Sequence, residues 1–200
     1  MSEGLPLPTF ALIVAHLGDS VKDYLDHFLF YLNLVVWNCP VCGAKMVLHA
    51  KYERKVKTPD AVLVVIITII RYRCTGCGKT HAILPDFLAP YRRYAMPVIE
   101  AAVTAVVEDR IPLEKAPGDQ DTATTKRWVR RFLGLSEQAT GALGSILIRL
   151  RQEFLSLVTS DDGPCGGLQR VLGELPATPA TSSFGKTNIW LTLDGAPLWL

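Results

Sequence analysis

The residues best suited to chemistry are Cys39, Cys42, Cys74 and Cys77. They form two Cys-x2-Cys pairs, Cys39-Pro40-Val41-Cys42-Gly43 and Cys74-Thr75-Gly76-Cys77-Gly78, with 31 residues between them. In each pair the two-residue gap lets both sulfurs reach one metal ion. The glycine after each pair permits the tight turn that aims backbone N–H groups at sulfur. Thiolates are soft ligands, and four of them close a tetrahedral coordination sphere. The pattern therefore predicts one structural Zn2+ ion with no position left for water or substrate. An iron–sulfur centre would use the same ligands, and buried unligated cysteines are the plain alternative. His81, four residues after Cys77, could replace a thiolate. His49 reads as a solvated or phosphate-facing residue, and His16 and His27 as ordinary residues of the fold. Cys165 is left over, and an odd cysteine count suits a reduced compartment and a metal better than a disulfide framework.

A second group of residues points to an anion. Positions 39 to 94 hold ten Lys/Arg against three Asp/Glu, a net charge of +7 in a chain whose total is +2, so the remainder carries −5. Lys51, Lys55, Arg71 and Arg73 fall on or beside the segment between the cysteine pairs, and Arg92 and Arg93 are interleaved with Tyr91 and Tyr94. Such residues neutralise phosphates and stack on bases or sugars. Further on, Lys126-Arg127-Trp128-Val129-Arg130-Arg131-Phe132 places Trp128, Val129 and Phe132 on a buried helix face with four charges around it. Thr124, Thr125, Lys126 and Arg127 are then placed to reach base edges, and Arg130 and Arg131 to reach phosphates. The alternative for both clusters is a solvated basic surface.

These residues must be positioned by an α+β chain. A short strand from Phe10 to His16 and a helix from Val21 to Leu34 form an N-terminal unit, 1–36, expected to pack on the cysteine-bearing segment. Alternation from Met46 to Lys57 reads as a half-exposed strand with Leu48, Ala50, Tyr52 and Val56 on one side and the lysines on the other. The turn Thr58-Pro59-Asp60 leads to a Val/Ile-rich central strand, Ala61 to Arg73, and a third strand runs from Thr80 to Leu84. Together these make a three-stranded antiparallel zinc ribbon, 37–94. The next region, 95–160, is helical: Pro97 opens one helix, Asp121 or Thr122 caps a second that runs to about Phe132, and Ser136 caps a third with its apolar stripe on Leu143, Leu147, Leu150, Phe154 and Leu157. That stripe suits core or partner packing. Gly163 to Lys186 reads as a linker, so 161–200 is expected to be a loose or partly ordered tail, with Ile189 to Leu193 a terminal strand before an Asp194-Gly195 turn.

The run Cys-Pro-x-Cys-Gly, the basic hairpin, Arg71-Tyr72-Arg73-Cys74-x-x-Cys77-Gly78, Leu84-Pro85-x-Phe87-Leu88-x-Pro90-Tyr91 and the Lys126 to Phe132 segment resemble short bacterial proteins with a transposase-like zinc ribbon and helix-turn-helix. The likeness covers roughly residues 10 to 135. It implies a DNA-binding module related to mobile elements, in a group whose biochemical role is largely undefined. Pro112, Pro117 and Gly118 depart from the resemblance where a short second helix is expected.

The leading expectation is a zinc-ribbon DNA-binding protein, a regulator, accessory or remnant of a mobile element. The alternative is a protein-interaction adaptor, with the ribbon as platform and the 136–158 helix as docking surface. An enzyme is not expected: the sequence has no glycine-rich phosphate loop and no nucleophile–base pair, and Asp161, Asp162 and Asp194 are the only late acidic candidates for a metal-dependent nuclease. No secretory signal opens the chain, and its longest strongly apolar run has ten residues where a membrane helix needs about 20. A cytoplasmic protein with no small-molecule substrate is therefore expected.

Overall fold

The computed structural model describes residues 12–59, 64–151 and 163–194. Over these the chain is α+β, with one four-stranded mixed sheet and five α-helices. β1 (Leu12–Ala15) leads into α1 (Val21–Asn33); β2 (Met46–Val56) and β3 (Val65–Cys74) form a long antiparallel hairpin; β4 (Thr80–Pro85) returns along β3. β1 pairs parallel to β4, giving the order β1-β4-β3-β2. The expected self-contained three-stranded ribbon is thus incorrect, because the first strand is part of the same sheet. The reason lies in β4, where residues 81–85 are all buried. A buried strand leaves no backbone edge for water, so both its sides need partners. The expected Phe10, Phe154, Leu157, Asp161, Asp162 and Gly195 features lie outside the described residues, as does part of the 58–60 turn.

The hairpin carries a bulge at His49: Leu48 stands opposite Tyr72, and Ala50 opposite Arg71. A bulge reverses the phase of the alternation. Ala50, Tyr52, Arg54 and Val56 therefore share a face with Val47, and Leu48 moves to the side of Lys51 and Lys55, against the simple alternation. α1 starts at Ser20, whose Oγ accepts from the Asp23 N–H. Tyr24 and Leu32 are buried, and the Tyr24 hydroxyl donates to the Thr68 carbonyl at 2.6 Å, fastening α1 to β3. Trp37 donates to Leu32 O, and its ring meets that of Tyr72.

In the helical half, α2 (Met96–Val107) has Pro97 in its first turn as the sequence predicts. Only the single 3-10 turn Leu113–Lys115 separates it from α3 (Thr122–Arg151), in place of the short second helix of a helix-turn-helix. Asp121 caps α3 through Thr124 N–H. α3 does not break at Phe132 and restart at Ser136. Thr125, Trp128, Phe132, Ser136, Ala139, Leu143, Ile146 and Leu147 form one buried stripe at three- and four-residue spacing, and Ser136 lies inside it instead of capping.

The stretch expected as linker and tail folds into α4 (Pro164–Glu174) and α5 (Ser183–Leu193). Two glutamates fasten it to the region of α2. Glu108 accepts the Cys165 N–H at the start of α4, and Glu100 accepts the Ser183 and Phe184 N–H groups at the start of α5. Carboxylates at helix N-termini satisfy orphan donors and oppose the positive dipole end. α5 replaces the expected terminal strand. It is buried nearly all round, with Leu191 and Phe184 in the helical core and Ile189 in the sheet core, so it shows no one-sided stripe. Among the described residues no helix is long and apolar enough to cross a membrane. Phe132 is fully buried and stacks on Phe184 at 5.3 Å, joining α3 to α5. Phe132→Ala is expected to lower the unfolding free energy by about 3–5 kcal/mol in a chemical denaturation measurement.

Candidate metal centre and nucleic-acid interface

The first cysteine pair sits in the turn before β2 and the second in the turn between β3 and β4. The two turns are built alike. Gly43 and Gly78, at φ 72° and 73°, donate to Cys39 O and Cys74 O, while Cys39 N–H and Cys74 N–H donate to Ala44 O and Lys79 O. Left-handed backbone of this kind favours glycine. Thr75 ties the turns together by donating its N–H and its hydroxyl to Lys45 O. Gly76 lies where they meet, and a Cβ there would stand 2.9 Å from that of Ala44.

This brings all four sulfurs within 4.8 Å of one another. Cys39 and Cys77 are 3.7 Å apart and Cys42 and Cys74 3.3 Å. Thiolates about 2.3 Å from a central tetrahedral ion stand about 3.8 Å from each other, so the set fits one metal ion. Cys39 and Cys74 are buried, and Cys42 and Cys77 are exposed. His81 is not a fifth member of the cluster. It is buried on β4 with Nε2 3.5 Å from Cys39 Sγ, placed to donate to that sulfur when Nε2 carries the proton.

The Cys77 backbone N–H, with further help from Cys42 and the Gly76 N–H, lowers the Cys74 thiol, while burial and the neighbouring sulfurs raise that of Cys77. An incoming ion must displace the protons that the cluster still holds. Competition with a chromophoric chelator is expected to show apparent metal affinity falling as the pH is lowered. Cys74→Ser is expected to reduce metal content from one ion per chain to none by plasma mass spectrometry. Cys165 is a different kind of cysteine: burial in the helical core, reinforced by Glu108, pushes its thiol up to about 12.

The basic residues of the two expected clusters divide among several surfaces. Lys51 and Lys55 pair with Ile70 and Ile66, whereas Arg71 and Arg73 pair with Ala50 and Val47, so the two sets project from opposite faces of the sheet. Thr125 is buried, its hydroxyl directed at Asp121 O, and does not face a partner. Lys126 and Arg130 are exposed on the side of α3 away from its buried stripe. Arg93 is exposed as well, its carbonyl accepting the Lys57 N–H.

Arg92, Arg127 and Arg131 are close enough for their charges to act on one another. Partial burial, and then the neighbouring charges of Arg131 and Arg127, pull the Arg92 guanidinium below its ordinary range. Arg127 also donates to Thr124 Oγ1. The loop bearing Arg92 is held from β2: Arg54 donates to the carbonyls of Ala89 and Arg92, and Lys57 pairs with Asp119 while lying 5.1 Å over the Tyr94 ring.

Sequence reasoning missed Asp86. It is fully buried after β4 and accepts the N–H and hydroxyl of Thr181, with His16 Nδ1 3.3 Å from its other oxygen. Burial raises its carboxyl pKa, against the two Thr181 donors. Its partner lies 95 residues away, beyond any local signal. Asp194, the one described late acidic candidate, is paired with Arg149.

A family model described as a domain of unknown function (DUF6431) matches residues 39–128. The match spans both cysteine turns, the hairpin, α2 and the start of α3. No curated protein and no solved structure matches the chain.

Proposed function

We propose that the chain is a DNA-binding protein in which a structural zinc ion, held by Cys39, Cys42, Cys74 and Cys77, fixes the β2–β3 hairpin, and in which Arg92, Arg127 and Arg131 grip phosphates. The observation that carries this reading is the net charge of +7 over residues 39–94, the stretch that holds the four clustered cysteines and Arg92. A local excess of Lys and Arg attracts polyanions. Polyanionic DNA fits because a phosphate row offers several charges at the spacing of a patch. Zinc suits the cluster because four thiolates close its coordination sphere. The matched family segment runs from the first cysteine to Trp128 and so contains the metal site, Arg92 and Arg127 in one stretch.

The resemblance to transposase-like zinc-ribbon proteins gives the biological setting: a regulator, accessory or remnant of a mobile element. With Thr125 buried and no short second helix, phosphate contacts outweigh base readout, and sequence preference is weak. The adaptor reading is the weaker one. Leu143 and Leu147, the centre of the stripe that would dock a partner, are covered within the chain.

The test is binding of a labelled duplex by zinc-loaded protein across a salt series, with metal counted in the same sample. Binding is expected to weaken steeply with salt. Replacing Arg92, Arg127 and Arg131 by glutamine is expected to flatten the slope of log affinity against log salt by about one unit per arginine that contacts a phosphate. Salt-insensitive binding, or none at low salt by folded, metal-loaded protein, would overturn the reading.

A further inference from the structure

Beside Arg92 the sheet opens into a hollow of about 380 Å³ on the face that carries Arg71. Its walls include Tyr52, Arg54, Arg71 and Tyr91, and Leu12, Ala82 and Leu84 complete its lining. The register explains the grouping. Tyr52 and Arg54 on β2, Arg71 on β3, Ala82 and Leu84 on β4 and Leu12 on β1 all project from one side of the sheet. Tyr91 joins from the loop after β4. It is 85 % exposed and held at φ 59°, a left-handed backbone uncommon for a residue with a side chain. An aromatic ring so exposed contributes little to the core. The backbone beneath it is fixed on both sides, by Arg54 at the Ala89 and Arg92 carbonyls.

The lining is complementary to one kind of occupant. It offers two tyrosine rings, a small apolar floor and two guanidiniums, with no acidic side chain among the described residues that line it. Arg71 is exposed and turned along the sheet by its bond to Thr80 Oγ1. Aromatic rings beside cations take up bases and phosphates of unpaired strands, since every base has a stacking face. A duplex keeps its bases stacked inside and cannot fill such a hollow.

We infer that this hollow receives one unstacked base of a DNA strand, lying against Tyr52 and Tyr91, with its phosphate at Arg71. The inference rests on the DNA-binding reading and extends it from backbone grip to single-stranded DNA. Arg92 follows Tyr91, a wall of the hollow, directly in the chain.

The test uses the full, zinc-loaded chain and three labelled probes at one salt concentration: an oligothymidylate, an abasic strand with the same number of phosphates, and a duplex. The oligothymidylate is expected to bind about tenfold more tightly than the abasic strand. Tyr91→Ala is expected to abolish that preference and leave duplex binding unchanged, while Tyr91→Phe keeps it. Metal content of one ion per chain establishes that the variants are folded. Equal binding of the base-bearing and abasic strands, or a preference that survives both Tyr91→Ala and Tyr52→Ala, overturns the inference while duplex binding stands. Failure of all three probes overturns the DNA-binding reading and this inference with it.

Discussion

The fold of the sheet depends on four sulfurs meeting at one point. β2 is an edge strand of eleven residues, and along it only Met46 and Val56, its two ends, are buried. Leu48 is 67 % exposed, and Val47 and Tyr52 are also open to solvent. Burial of apolar surface therefore does little to hold the middle of this strand in register. A two-stranded ribbon without a covered face is marginal in water. What secures the hairpin is a fastening at each end. At the Met46–Cys74 end the two cysteine turns close on one another. At the other, the backbones of Lys57, Arg93 and Ala95 pair, and Arg54 reaches the loop carbonyls. Metal binding at such a site contributes directly to folding, because the unfolded chain cannot offer all four thiolates together.

The second half is fastened by carboxylates. Glu100 and Glu108 take the N-terminal donors of α5 and α4, and Asp86 takes Thr181 just before α5. All three lie in or before the helical half, and all three reach into 163–194. α5 is thereby placed between the two cores, with Ile189 against the sheet and Phe184 against Phe132. A side chain at Gly185 would meet the Asp86 carbonyl at 2.8 Å, so α5 approaches the chain after β4 as closely as backbone allows. Tyr94 packs against both cores, which places the Arg92 loop at their seam.

The cysteine turns are legible in the sequence because their information is local: the two-residue gap and the glycine after it determine the geometry within five residues. Pro97 and Asp121 are legible for the same reason. The bulge at His49 is not, since no residue type marks it, and missing it places Leu48 with Ala50 and Tyr52 instead of with Lys51. α5 is misread as a strand because a helix buried all round loses the 3.6-residue stripe that distinguishes it. The linker reading of 163–186 reflects its glycine and proline content, but the glutamates that fold it lie on α2 and just beyond it. The three-strand ribbon fails for a similar reason. That β4 needs a second neighbour is visible in its apolar run, yet which strand supplies it depends on the path of α1. Of the candidate nucleic-acid residues, sequence identifies the charges and cannot tell which share a surface.

That last distinction decides how the basic residues are to be understood. Lys51 and Lys55 stand on an exposed edge strand, where charged side chains keep the open backbone from pairing with another chain. Their presence is explained without any ligand. Arg127 and Arg131 lie on α3 beside its buried stripe and add by their charge to the burial that lowers the Arg92 guanidinium, and Arg127 also faces the Asp121 carboxylate and donates to Thr124 Oγ1. Trp128 and Phe132 are buried in the helical core, and Trp128 meets Tyr94 edge-on with ring centres 5.0 Å apart. The apolar contacts that seat α3 against the loop are thus the same ones that hold the arginines together. A change at Trp128 would open the core and shift α3 against the loop that carries Arg92 and Tyr94, so the placing of these charges depends on one aromatic pair.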